Sequence, residues 1–238
     1  MQVVASTLTV IRGKLHHEER AEATPSTAPG NDPVCRMCDD TGWRRAEGEE
    51  FIGLRRCECV KAKIRAARLS LIPERFRNCT FESYRPRNPK QQRALSLISG
   101  HPSGSFYLTG SYGSGKTHLL YALYREMVLT GKTVCHVRTT RGLVEELRRA
   151  EFDDDFVSPV IAAASKPEPY HLFWDDIDKL KPTDFKTEVL FDMVDSLYRQ
   201  KHGLTVTGNY SMRDLVEHER MHPAIVRRLD DMCRLVEV

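Results

Sequence analysis

The 238-residue sequence predicts an α/β protein: a parallel sheet with flanking helices built around a phosphate-binding loop, preceded by a small cysteine-rich segment. Three observations lead there. After about Cys79, apolar strand-like runs alternate with longer helical patterns, the order expected of crossover connections in a parallel sheet. The segment Gly110-Ser111-Tyr112-Gly113-Ser114-Gly115-Lys116-Thr117 matches G-x-x-x-x-G-K-[ST] in full, between a strand and a helix. Four cysteines, Cys35, Cys38, Cys57 and Cys59, lie close together ahead of that region.

Taken in order, residues 1 to about 20 read as a short helix, and Thr24–Pro33, rich in Pro, Ser and Thr, as a flexible linker. Val60–Leu71 is helical in pattern and stops at Pro73. Helix is expected over Gln91–Ile98, strand over Ser105–Thr109, and helix over Thr117–Leu129, ended by Gly131. A strand at Thr133–Val137 leads to a helix at Arg141–Ala150, capped by Thr139 or Thr140. An acidic, proline-containing loop follows. His171–Trp174 and Leu204–Thr207 are the next strands, with a helix at Glu188–Arg199 between them. Ser211 caps a helix from near Arg213, Pro223–Leu229 gives a last helical turn or two, and Cys233–Val238 a terminal strand. The expected organisation is a flexible segment 1–33, a zinc-binding and helical region 34–72, and an ATPase core 73–238.

Composition narrows the classes. Hydrophobic residues make up 40% of the chain, and no run approaches the roughly 18 apolar residues of a membrane span. No secretory leader is read at Met1–Val10, so the expected compartment is the cytoplasm, with no membrane partner. The net charge of +3 says little, but basic residues are dense between Arg44 and Arg93, either a solvated face or a surface for phosphates. An odd cysteine count of 7 argues against a disulfide framework.

The phosphate loop carries the most specific chemistry. Glycines let backbone N–H groups wrap around phosphate oxygens, and the following helix adds its positive end. Lys116 would reach the β- and γ-phosphates of ATP and the Thr117 hydroxyl would ligate Mg²⁺, with His118 next in the helix. Leu172–Asp176 places two carboxylates at the end of a buried strand, where open α/β sheets bind ligands. Asp175 fits a magnesium-holding carboxylate, and Asp176 the residue that orients or deprotonates the attacking water. Asp178 is a third candidate, and a pair of helix-capping or turn aspartates is the plainer alternative for Asp175 and Asp176. Asn209 ends a strand, either touching the γ-phosphate or beginning a turn.

Cys35-x-x-Cys38 and Cys57-x-Cys59 are separated by 18 residues, a spacing suited to tetrahedral Zn²⁺ holding a segment with no core of its own. Gly42 and Gly48 permit the turns between the pairs. A redox pair and an iron–sulfur cluster are the alternatives.

From residue 35 onward the chain resembles the AAA+ helicase loaders of the DnaC and DnaI type, phage-borne forms included, and the related transposition helper IstB. The resemblance is carried by Cys35–Gly42 with Cys57-Glu58-Cys59, by Ile72–Phe81, by the phosphate loop (Walker A), and by Thr207-Gly208-Asn209-Tyr210-Ser211, similar to the family's sensor 1. It implies an ATPase that loads a hexameric replicative helicase onto single-stranded DNA. It also implies Asn209 as sensor and Arg228, less so Arg227, as an arginine acting in trans on a neighbouring copy. Because 10 residues follow Arg228, no helical lid is expected. DNA-contacting arginines stay open between the N-terminal set and Arg138, Arg141, Arg148 and Arg149. Two other readings stand beside the loader: an IstB-like ATPase that assembles on duplex DNA to assist a transposase, and an adaptor that binds ATP without enzymatic use.

Overall fold

The computed structural model describes residues 34–46, 53–153, 155–179 and 183–238. The helix expected over residues 1 to about 20, the linker Thr24–Pro33 and the turn at Gly48 lie outside them. The chain divides into two units, Met1–Thr41 and Gly42–Val238.

In the first unit, residues 34–41 form a tight turn. The Asp40 carboxylate accepts from the backbone N–H of Val34 and Cys35, and the Cys38 N–H donates to the Cys35 carbonyl. Asp39 and Asp40 both take positive φ, which short polar side chains tolerate.

The second unit opens with a two-stranded antiparallel hairpin, β1 (Trp43–Ala46) and β2 (Gly53–Arg56), and helix α1 (Glu58–Leu69). The hairpin escaped the sequence reading because its strands, WRRA and GLRR, show no apolar alternation. Then come α2 (Pro89–Gly100), β3 (Phe106–Thr109), α3 (Lys116–Thr130), β4 (Val134–Thr139), α4 (Thr140–Phe152), α5 (Pro159–Ala164) and β5 (Tyr170–Asp175). The unit ends with α6 (Asp184–Arg199), β6 (Gly203–Gly208), α7 (Met212–Glu217), α8 (Pro223–Met232) and β7 (Arg234–Glu237). The last five strands form one parallel sheet in the order β4-β5-β6-β3-β7.

Both faces of this sheet are covered, so the residues of β3 and β5 are buried throughout and those of β6 nearly so, its Thr205 and Thr207 included. Within each strand the side chains still divide by turns. Tyr107, Leu172, Trp174, Leu204 and Val206 pack beneath α4, α5, α6, α7 and α8, through Leu143, Val160, Val194, Leu215 and Leu229 among others. Phe106, Leu108, Phe173 and Val236 face the opposite way, against Ile98 of α2 and Leu119, Leu123 and Val128 of α3. The result is a three-layer sandwich whose strands all end on the same edge.

Two expectations need correction. Helix α6 begins at Asp184, not Glu188: Thr183 caps it by accepting from the Lys186 N–H, and Asp184 adds a favourable charge in the first turn. The acidic loop after α4 contains α5, for which Ser158 is the cap and Pro159 the first residue, a start signal present in the sequence but overlooked.

Candidate functional site

The carboxyl ends of β3, β5 and β6 gather the predicted residues into one place. Strand β3 runs into the phosphate loop, whose glycines take conformations other residues resist: φ is +77° at Gly113 and +100° at Gly115. At Gly115, the residue that opens α3, a Cβ would also lie 2.7 Å from the Tyr84 ring. Tyr84 and Gln91 both donate to the Ser114 carbonyl, at 3.1 and 3.0 Å, so the segment ahead of the sheet braces the loop from outside. His118 also contacts that segment. Its Nε2 lies 2.9 Å from the Thr80 carbonyl and 3.2 Å from Ser83 Oγ, with its ring edge-on to Tyr84.

The loop fits a phosphate chain. The Lys116 ammonium is buried and, among the described residues, donates to carbonyls of its own loop, Gly110 and Ser111, both at 2.8 Å, bonds that phosphate oxygens would replace. Burial pushes its pKa down, opposed by the charges of Asp178, Asp176 and Asp175. Ser114 Oγ is buried without a hydrogen-bond partner among the described residues, as a group awaiting an anion would be. Tyr112 is exposed at the loop tip.

Thr117 and Asp175, the two expected magnesium ligands, already touch: the hydroxyl donates to Asp175 Oδ1 at 3.1 Å. The same oxygen accepts from Thr207 of β6 at 2.6 Å. Burial raises the Asp175 pKa, the Thr207 and Thr117 bonds oppose that rise, and the Asp176 charge adds to it. A divalent cation at this carboxylate would favour the ionised form. Thr207 is a residue the sequence reading did not single out. Fully buried, it also accepts from the Asp176 N–H at 2.9 Å, and so fixes both carboxylate-bearing residues to β6. Thr207→Val should leave the Asp176 N–H unpaired, remove one of the two bonds to Asp175 Oδ1, and cost about 1–3 kcal/mol. Thermal melting would read that loss, and ATP turnover should fall more than nucleotide affinity.

Asp176 adopts φ +60°, and its carbonyl accepts from Thr140 Oγ1 at 2.6 Å. Its carboxylate pairs with Lys179. Asp178 holds Asn209, accepting from its backbone N–H at 3.0 Å and from its side-chain amide. Arg220, also missed from sequence, lies over the Tyr210 ring at 4.4 Å and donates to the Asp178 carbonyl at 3.4 Å. Arg228 lies on α8, where it donates to Asp195 of α6 at 3.1 Å and covers the Tyr198 ring at 4.5 Å; Arg227 is exposed.

Cys35, Cys38, Cys57 and Cys59 form a group that could hold a metal ion. Four thiolates are a donor set compatible with tetrahedral Zn²⁺ and would leave no open coordination position. Metal analysis of the purified chain should find about one zinc per molecule. Cys57→Ser should lose it and melt earlier.

No described helix is long and apolar enough to cross a membrane. Comparison with known proteins places the chain in a family. The model for the IstB-like ATP binding protein matches residues 50–238. YdaV of Escherichia coli (strain K12) is 30% identical over 47% of this chain and 47% of its own length. YqaM of Bacillus subtilis (strain 168) is 26% identical over 76% of this chain and 61% of its own. The chain thus spans about half to three-fifths of those relatives. Among solved structures, the DnaC helicase loader matches 70% of this chain and 99% of its own, with a TM-score of 0.59 and 23% identity. DnaI matches with a TM-score of 0.59 and 19% identity, over 70% and 94%. AMPPCP-bound DnaA from Aquifex aeolicus matches with 0.57 and 16%, over 71% and 51%. The fold is therefore the AAA+ fold of the DnaC kind, and the chain belongs to the family of IstB-like ATP-binding proteins.

Proposed function

We propose that this chain is an ATP-hydrolysing switch that places a ring-shaped replicative helicase on single-stranded DNA in the cytoplasm. The observation that supports this reading most is the match of its core to almost the whole of the DnaC helicase loader fold. In this reading the segment with the four cysteines, which could hold zinc, is the part that docks on the helicase.

In this reading the phosphate loop and Lys116 bind ATP, and Thr117 and Asp175 would hold Mg²⁺, which would screen phosphate charge. Asp176 orients a water molecule and accepts its proton as the water oxygen bonds to the γ-phosphorus and ADP leaves. Asn209, positioned by Asp178, senses the γ-phosphate. Arg228 serves a neighbouring copy, for which it must leave Asp195 and Tyr198. ATP thereby couples self-association to DNA grip, and hydrolysis releases it.

The match to the IstB-like model favours a second reading, in which the same core assembles on duplex DNA beside a transposase. Sedimentation with ATP separates the two. Co-sedimentation with single-stranded DNA supports the loader; ATP-dependent assemblies on duplex alone support the transposition helper and overturn the loader.

A further inference from the structure

We propose that the cleft beside Asp176 binds the phosphate backbone of single-stranded nucleic acid, and that Lys179 relays its occupancy by releasing Asp176. The proposal rests on the loader reading for the identity of the strand.

The cleft has a volume of about 660 Å³ and lies between the start of α4 and the turn after β5. Four cations line it: Arg141 and Arg148 from α4, Lys179, and Lys186 from α6. Both acids in its wall are already engaged, Glu145 with Arg148 at 3.3 Å and Asp176 with Lys179. Val144 gives the cleft an apolar patch between the charges. Cations flanking an apolar surface match a strand that offers phosphates and base faces together, the combination that single-strand grooves use.

The link to the nucleotide site is geometric. The Asp176 backbone is pinned on both sides, its N–H by Thr207 and its carbonyl by Thr140. Only the carboxylate remains to move, and it is held by an ammonium that is 64% exposed at the cleft. Held this way, Asp176 accepts from Lys179 and is withdrawn from water activation. A phosphate in the cleft competes for that ammonium and frees the carboxylate. Sequence spacing hides the device, since Lys179 reads as an ordinary turn residue.

The test measures binding of a labelled oligothymidylate across salt concentrations, and ATP turnover with and without it, for the full chain and two variants. Lys179→Ala should raise DNA-free turnover by up to about fivefold, the shift an exposed ion pair can hold, and shrink the stimulation by DNA by the same factor. Arg141→Ala with Arg148→Ala should weaken binding and lower the salt slope by about 0.7 per arginine. Lys179→Gln, which keeps most of the side-chain length, gives the same readout if the alanine variant does not fold. Lower turnover in the Lys179 variants, or an unchanged stimulation ratio, overturns the relay. Wild-type affinity and slope in the double arginine variant overturn the cleft as the site while leaving the loader reading intact. An intact chain that hydrolyses ATP yet binds no single strand overturns both. Displacement of the oligonucleotide from this cleft by polyglutamate at lower concentration than by oligothymidylate would assign it to an acidic protein segment instead.

Discussion

Lys116→Ala is expected to lose ATP affinity by about a hundredfold, the range for a hydrogen bond to a charged group, while its melting temperature stays within about 4 °C of wild type. The two halves of this result have one cause. The Lys116 ammonium is buried and, among the described residues, bonded to the carbonyls of Gly110 and Ser111. Burial lowers its pKa, so the cost of holding the charge there opposes what the two bonds contribute. Phosphate changes that balance by supplying opposite charge at the same place. Calorimetric titration with ATP and thermal melting of the same sample would check both halves. Unchanged affinity would remove the nucleotide site from the phosphate loop.

Gly115→Ala should damage both binding and stability. The residue sits at φ +100°, which costs a residue with a Cβ about 1–3 kcal/mol. The new methyl would also meet the Tyr84 ring at 2.7 Å. Tyr84 cannot retreat freely, because its ring edge contacts His118 and its hydroxyl is bonded to Ser114. Overpacking of that kind adds about 1–3 kcal/mol. A melting point lower by about 5–15 °C follows for a unit of this size, together with a loop whose N–H groups no longer converge. Gly113→Ala is the informative comparison. Its φ is also positive, but a Cβ there meets no other atom within 4 Å, so it should be milder in melting. Equal melting points for the two variants would show that the Tyr84 contact contributes nothing.

The parts of the molecule that could be read from sequence are those where one residue type has one use. Gly110–Thr117 announces itself because a wrapped backbone, an ammonium and a hydroxyl must occur at fixed offsets. Asp175 and Asp176 stand out as charges ending an apolar strand. Thr207 could not be distinguished the same way. Threonine is a favoured strand residue, and only the pairing of β5 with β6 shows that its hydroxyl fixes Asp175 and Asp176. Asp178 was legible as an acid but not as the partner of Asn209, since that contact spans 31 residues of chain. The hairpin β1–β2 was hidden for another reason: a two-stranded ribbon with arginines on it has no buried face to impose a period. Arg228 is the case where the chain's own contacts add something the resemblance did not contain. Its bond to Asp195 and its place over Tyr198 hold it within its own molecule. In the proposed mechanism a neighbouring copy must therefore compete for it.

The central proposal is that ATP state governs attachment of this chain to a ring helicase on single-stranded DNA. Its most direct test is the mass, by light scattering, of a mixture of the chain with the replicative helicase, ATP and single-stranded DNA. A large complex that forms with ATP, requires the residues before about Val60 and is lost in Lys116→Ala is the predicted result. Absence of any complex with the helicase, alongside ATP-dependent assembly on duplex DNA, would contradict it.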